Sequence, residues 1–144
     1  MSTEQNKSVV RRFYEDVLNE GNISALPDVA VQDYVEHNPL PGQSTQLQGL
    51  RDRVIMLRSA FQPRFAVEDI IAEGDRVAVR WTQTATHVGP FQGIPATGTS
   101  ITLSGMDFYV LKDGRMAEHW DQVDLLGLLQ QLGVIPQPEA SVAP

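Results

Sequence analysis

The chain has 144 residues, no cysteine, and 11 Lys and Arg against 18 Asp and Glu, a formal charge of −7. A chain of this length buries roughly 68% of its extended surface on folding, enough for one domain with a real core. The charge repels phosphate backbones and anionic lipid, so neither nucleic acid nor membrane is an expected partner, and the missing thiols exclude disulfides, thiolate nucleophiles and Cys-ligated metals. There is no apolar run of about 18 residues and no basic, apolar leader, so the expected location is the cytoplasm.

In Lys7 to Leu18 the residues Val9, Val10, Phe13, Tyr14, Val17 and Leu18 recur three and four apart, which predicts an amphipathic helix ended by Asn19, Gly21 and Asn22. A second short helix is predicted over Ile23 to Ala30, with Pro27 limiting how early it becomes regular. The stretch "DYVEHNPLPGQ" at 33–43 reads as a loop, with at most one strand turn at its start. Leu47, Leu50, Val54, Leu57 and Phe61 predict a third helix. Beyond Pro63 the period changes to two: Phe65, Val67 and Asp69 alternate, as do Val77, Val79 and Trp81, about an "EGD" turn at 73–75. A second hairpin runs from Ser100 to Leu111 and Arg115 to Val123 about "KDGR", and the Gly- and Pro-rich "HVGPFQGIPATG" at 87–98 is a shaped loop between the two. A last helix, Leu125 to Leu132, is stopped by Gly133. Helices followed by strands is an α+β order: a curved antiparallel sheet with N-terminal helices forms a cone-shaped pocket. One domain, 1–136, and a flexible tail, 137–144, are expected.

The hairpin at 112–115 decides which polar residues meet. A two-residue Asp-Gly loop pairs Lys112 with Arg115, setting Asp107 opposite Trp120 and Asp121 on the other face. A three-residue loop with Gly114 as a bulge pairs Leu111 with Arg115, setting Asp107 opposite His119 and Gly105 opposite Asp121. The second register is preferred, because it gathers Asp107, His119 and Asp121 on one face, with Gly105 leaving a gap above Asp121 for a ligand. It also places Met106, Phe108, Val110, Met116 and Trp120 on the outer face, an apolar stripe suited to a homodimer.

Four stretches, "FYEDVLNEGN", "DYVEHNP", "AEGDRVAVRWTQTATHVGPFQGIPATG" and "KDGRMAEHWDQVDLLGLLQQLGVIP", resemble the SnoaL-like polyketide cyclase family over about Lys7 to Pro136. The resemblance implies a nuclear-transport-factor-like cone fold and cofactor-free acid/base chemistry, with the family's His-x-Asp pair falling on His119 and Asp121. The family's best-known members close a polyketide ring by an intramolecular aldol step. A neighbouring family His matches Tyr109, and an adjacent amide matches Asp107. These departures bring the chain closer to relatives with extra carboxylates, some of which take part in hydroxylation.

A carboxylate raised toward neutrality by an apolar pocket and a like charge can take a proton from carbon and return it to an alkoxide. That role falls to Asp121, with Asp107 as the like charge and His119 as orienting group or proton shuttle. The bland alternatives are a helix N-cap or ion-paired Asp121, a structural cross-strand His119, and an Asp107 that neutralises Arg80. Water activation by Asp107 and Asp121, for epoxide hydrolysis or hydroxylation, and a binding module without turnover are the rival functions. His37 is a pocket-rim candidate, and His87, which shares strand parity with Val77, Val79 and Trp81, either faces the cavity or caps its strand. Trp81, Tyr14, Tyr34 and Tyr109, with Phe13 and Phe61, suit the wall around a hydrophobic small molecule. No cofactor is implied, and no metal, since no element carries His-x-His or i,i+4 ligand spacing.

Overall fold

A computed structural model of the chain describes residues 1–137. The expected tail therefore lies almost wholly outside the described residues.

Helix α1, Thr3–Arg12, starts earlier than its apolar pattern because Ser2 and Gln5 form a capping box, each side chain bonded to the other's backbone N–H. It continues as a π-helical stretch, Phe13–Asn19, whose wider turn buries Phe13, Tyr14, Val17 and Leu18 together. A 3₁₀ turn, Ile23–Ala25, and a four-residue helix α2, Leu26–Val29, follow, with Pro27 in the first turn where its missing N–H has no partner to lose.

The largest departure from the sequence reading is strand β1, Ala30–Glu36, which occupies the start of the expected 33–43 loop. It lies parallel to the last strand, and an irregularity between Ala30 and Val35 breaks its alternation, so a period of two was not visible. Helix α3, Leu47–Phe61, keeps its predicted bounds. The remaining strands are β2, Arg64–Glu73; β3, Arg76–Thr86; β4, Ser100–Lys112; and β5, Arg115–Val123. A short helix α4, Leu125–Gln131, has Asp124 as its N-cap, accepting from the Gly127 N–H. The sheet order is β1-β5-β4-β3-β2, antiparallel except for β1. Register shifts in three of the four strand pairs curve it, and the helices pack over its concave face.

The β4–β5 hairpin follows neither predicted register. Asp113 and Gly114, at φ 51° and 75°, form a two-residue loop, with Lys112 opposite Arg115. Strict alternation from that turn would send Asp121 outward. Instead Leu111 pairs with Met116 and Val110 with Glu118, so Ala117 is an extra residue and the phase resets by one. Tyr109 then faces His119, Asp107 faces Asp121, and Gly105 faces Val123. The two-residue turn sets Met116 opposite the buried Leu111 and so turns it inward, where it is fully buried, removing it from the expected outer stripe. Met106, Phe108 and Trp120 remain outside and exposed.

Candidate active site

The concave face encloses a cavity of about 340 Å³ whose wall is mainly apolar and aromatic, including Phe13, Phe61, Phe65, Trp81 and Phe91, with a polar cluster at one side. The cluster begins at Asp107, whose Oδ2 accepts from Trp81 Nε1 at 2.8 Å and from the Tyr14 hydroxyl. Tyr14 lies 2.8 Å from the Tyr109 hydroxyl. The indole reaches Asp107 because Trp81 lies directly opposite Gly105; a Cβ there would sit 2.4 Å from the ring. The space left by Gly105 is thus filled by Trp81 and is not the predicted ligand gap.

His119 is held at both nitrogens. Nε2 is 2.8 Å from Asp107 Oδ1, and Nδ1 lies 2.7 and 2.8 Å from the two oxygens of Glu36. Burial disfavours the imidazolium, but the hydrogen bonds and charges of Asp107 and Glu36 outweigh it and raise the His119 pKa to about 9. Both carboxylates are lowered in turn: burial would raise them, and the bonds to His119 prevail. The ring is therefore a cation clamped between two anions. Its two N–H groups are occupied, which fits an orienting role better than a shuttle.

Glu36 also accepts from the Asn38 N–H at 3.1 Å and from the Tyr34 hydroxyl at 3.3 Å. Arg53, from α3, places Nη2 2.9 Å from Asp121 Oδ2 and Nη1 3.9 Å from Glu36. The backbone N–H of Asp121 donates to Asn38 Oδ1 at 2.9 Å. Three carboxylates thus share two cations, and Asp121 is the least compensated. Burial raises its pKa, and the Asp107 charge adds to that; Arg53 and His119 oppose the rise without cancelling it. Asp121 lines the cavity, and its Oδ1 has no hydrogen-bond partner among the described residues.

Donor atoms of Glu36, His119 and Asp121 lie within 4.8 Å of one another, close enough to suggest a metal site. The fit is poor, since both His119 nitrogens are engaged and the Arg53 guanidinium already lies beside the carboxylates of Glu36 and Asp121.

The family model for SnoaL-like polyketide cyclases matches residues 8–132. The chain belongs to that family. It is 30% identical to the aklanonic acid methyl ester cyclase DauD of Streptomyces sp. strain C5, over 91% of this chain and 84% of the relative. It is 31% identical to the aklanonic acid methyl ester cyclase DnrD of Streptomyces peucetius, over 91% and 93%. Among solved structures, TsrD from Streptomyces laurentii superposes with a TM-score of 0.86 at 29% identity, covering 94% of this chain and 99% of that one. Both of these sequence relatives are named as cyclases, and this SnoaL-like chain is accordingly an enzyme of cyclase type.

In this SnoaL-like cone the structure brings together Asp107, His119, Asp121, Tyr14, Tyr34, Trp81 and Tyr109. Two predicted residues fall elsewhere. His37 stacks on Trp120, centroids 4.2 Å apart, and pairs with Glu118 at 3.0 Å; β1 ends at Glu36, so its neighbour has turned to the outer face. His87 is buried behind Phe61, stacked at 5.2 Å and bonded to Thr97, outside the cavity wall. The Asp107–Arg80 pairing does not occur, because Arg80 points outward to Asp69 at 2.7 Å.

Glu36 and Arg53 were missed. Arg53 carried a readable signal: it sits three residues after Leu50 and next to Val54, on the apolar stripe of its helix, where a guanidinium needs a buried anion. Glu36 was masked by the loop reading of 33–43, although Tyr34 and Glu36 share strand parity.

Proposed function

We propose that this chain is a cofactor-independent cyclase that closes a ring in a hydrophobic, polyketide-type carbonyl compound by intramolecular aldol addition, with Asp121 as general acid/base. The observation that carries this reading is Asp121 itself: a carboxylate of raised pKa, with Oδ1 uncommitted, on the wall of an apolar cavity.

The step balances without a co-reactant. Asp121 Oδ1 takes a proton from a carbon beside a carbonyl, and the resulting enolate carbon attacks a second carbonyl of the same molecule. One C–C bond forms, the attacked carbonyl oxygen becomes an alkoxide, and the proton held by Asp121 is returned to it. Arg53 and the His119 imidazolium supply fixed positive charge beside the developing oxyanion. Asp107 and Glu36 keep His119 charged and still, while Tyr14 and Trp81 hold Asp107. The aromatic wall presses a flexible precursor toward its folded, reactive shape, which contributes the larger part of the acceleration.

The first compound to assay is the methyl ester of aklanonic acid, the compound in the names of both cyclase relatives. The product expected has the mass of the substrate. For Asp121→Asn, turnover drops by about 10²- to 10⁴-fold while folding is unchanged. Uptake of labelled oxygen from water or dioxygen into product would replace the aldol reading with hydrolysis or hydroxylation. Unchanged turnover in the Asn variant would remove Asp121 from the chemistry. The exposed Met106, Phe108 and Trp120 support a homodimer built through the outer sheet face.

A further inference from the structure

Gln83 is a buried polar residue in the cavity wall that the acid/base cluster does not use. Only 3% of the residue is exposed and its amide has no hydrogen-bond partner among the described residues, yet the amide atoms are not sealed in: they open onto the cavity. It stands between Phe65 on β2 and Leu103 on β4, both buried and both part of the same wall. An amide at a cavity wall with no protein partner is completed by whatever fills the cavity, solvent or the polar atoms of a ligand. Most polar groups of the same wall do have partners: the Tyr14, Tyr34 and Tyr109 hydroxyls and both His119 nitrogens are bonded, whereas Arg53 Nη1 is enclosed without one.

Its position says which part of a ligand it meets. Asp107 pairs with Val79 on β3 and with Asp121 on β5, so these residues mark the level of the acid/base cluster. Gln83 is four residues farther along β3, about 13 Å at the rise of a strand. The residues between, Trp81 and the neighbouring aromatic wall, give a flat apolar surface linking the two levels. A ligand that reaches both is an extended planar molecule with its reacting carbon at Asp121 and an oxygen substituent at the far end.

We infer that Gln83 is a specificity-determining residue of this cone, binding an adjacent carbonyl and hydroxyl on the ring system remote from the reacting carbon. The carboxamide matches such a pair: the hydroxyl proton stays hydrogen-bonded to the adjacent carbonyl, and the amide NH₂ donates to the two acceptor oxygens that face it. The inference rests on the cyclase reading for the direction of the substrate, but its test is one of binding and needs no turnover.

The probes are 1,8-dihydroxyanthraquinone, which carries the keto–hydroxyl pair, and anthraquinone, which lacks the hydroxyls. Binding to the full chain is read by quenching of Trp81 fluorescence, with Gln83→Met as the variant of similar length. The wild-type protein is expected to bind the dihydroxy compound about 3- to 10-fold more tightly, the worth of a neutral hydrogen bond, and Gln83→Met to lose that preference while still binding anthraquinone. The melting temperature of the variant is expected to equal or exceed that of wild type, because no hydrogen bond within the protein is lost. A preference that survives in Gln83→Met overturns the inference and leaves the aldol reading untouched. Failure of wild type to bind either ring overturns it as well, while cyclase activity is judged separately by the turnover of Asp121→Asn. Lower stability of Gln83→Met would show an amide already satisfied within the protein, which also overturns it.

Discussion

Raising the pH from 6.5 to 9.5 tests the charge clamp at the centre of the cluster. The His119 pKa rises from 6.5 to about 9 on folding, so between those values the folded state holds a proton that the unfolded state has released. Stability from this group is fully present below pH 6.5 and is lost as the pH passes through about 9. The slope is about 1.4 kcal/mol per pH unit within the window, and the whole loss is about 3 kcal/mol. Urea unfolding at half-unit steps measures the loss. An NMR titration of the three imidazole Cε1–H resonances identifies its source, with one midpoint expected near 9. Tyr14, Tyr34 and Tyr109 do not interfere, since burial and neighbouring carboxylates push them well above the ordinary tyrosine value. Constant stability across the window, with no imidazole titrating above 8, would mean a neutral His119 and would dismantle the argument that Asp107 and Glu36 share a cation.

Two further outcomes test the architecture around the site. Gly105→Ala places a Cβ 2.4 Å from the Trp81 ring, so the indole must shift off Asp107. A loss of about 1–3 kcal/mol in urea unfolding is expected, and an alanine variant as stable as wild type would show that the ring has room to spare. On the outer face, light scattering on a sizing column is expected to give twice the mass of one chain. Phe108→Glu, which charges a patch beside Trp120 at a centroid distance of 5.9 Å, is expected to give one. A monomeric wild-type protein would leave that patch without a partner copy.

Periodicity located α3 to the residue and the strands of both hairpins closely, because each buries one regular face and the spacing of apolar side chains records it. Asp107, His119 and Asp121 were legible as a polar set on an otherwise apolar hairpin. What brings them to one side was not, because the expected bulge at Gly114 lies instead at Ala117, and a one-residue slip of phase leaves no mark in composition.

The sequence by itself determined the order of the elements other than β1, most of their apolar faces and the absence of thiol chemistry, since these follow from which residues are present and how they are spaced. Only the tertiary structure decided that Glu36 from an edge strand and Arg53 from a helix complete the cluster, and that His37 and His87 do not join it. The physical reason is that ion pairing inside a cavity depends on distance through space. Residues 83 positions apart, such as Glu36 and His119, become neighbours only when β1 docks against β5.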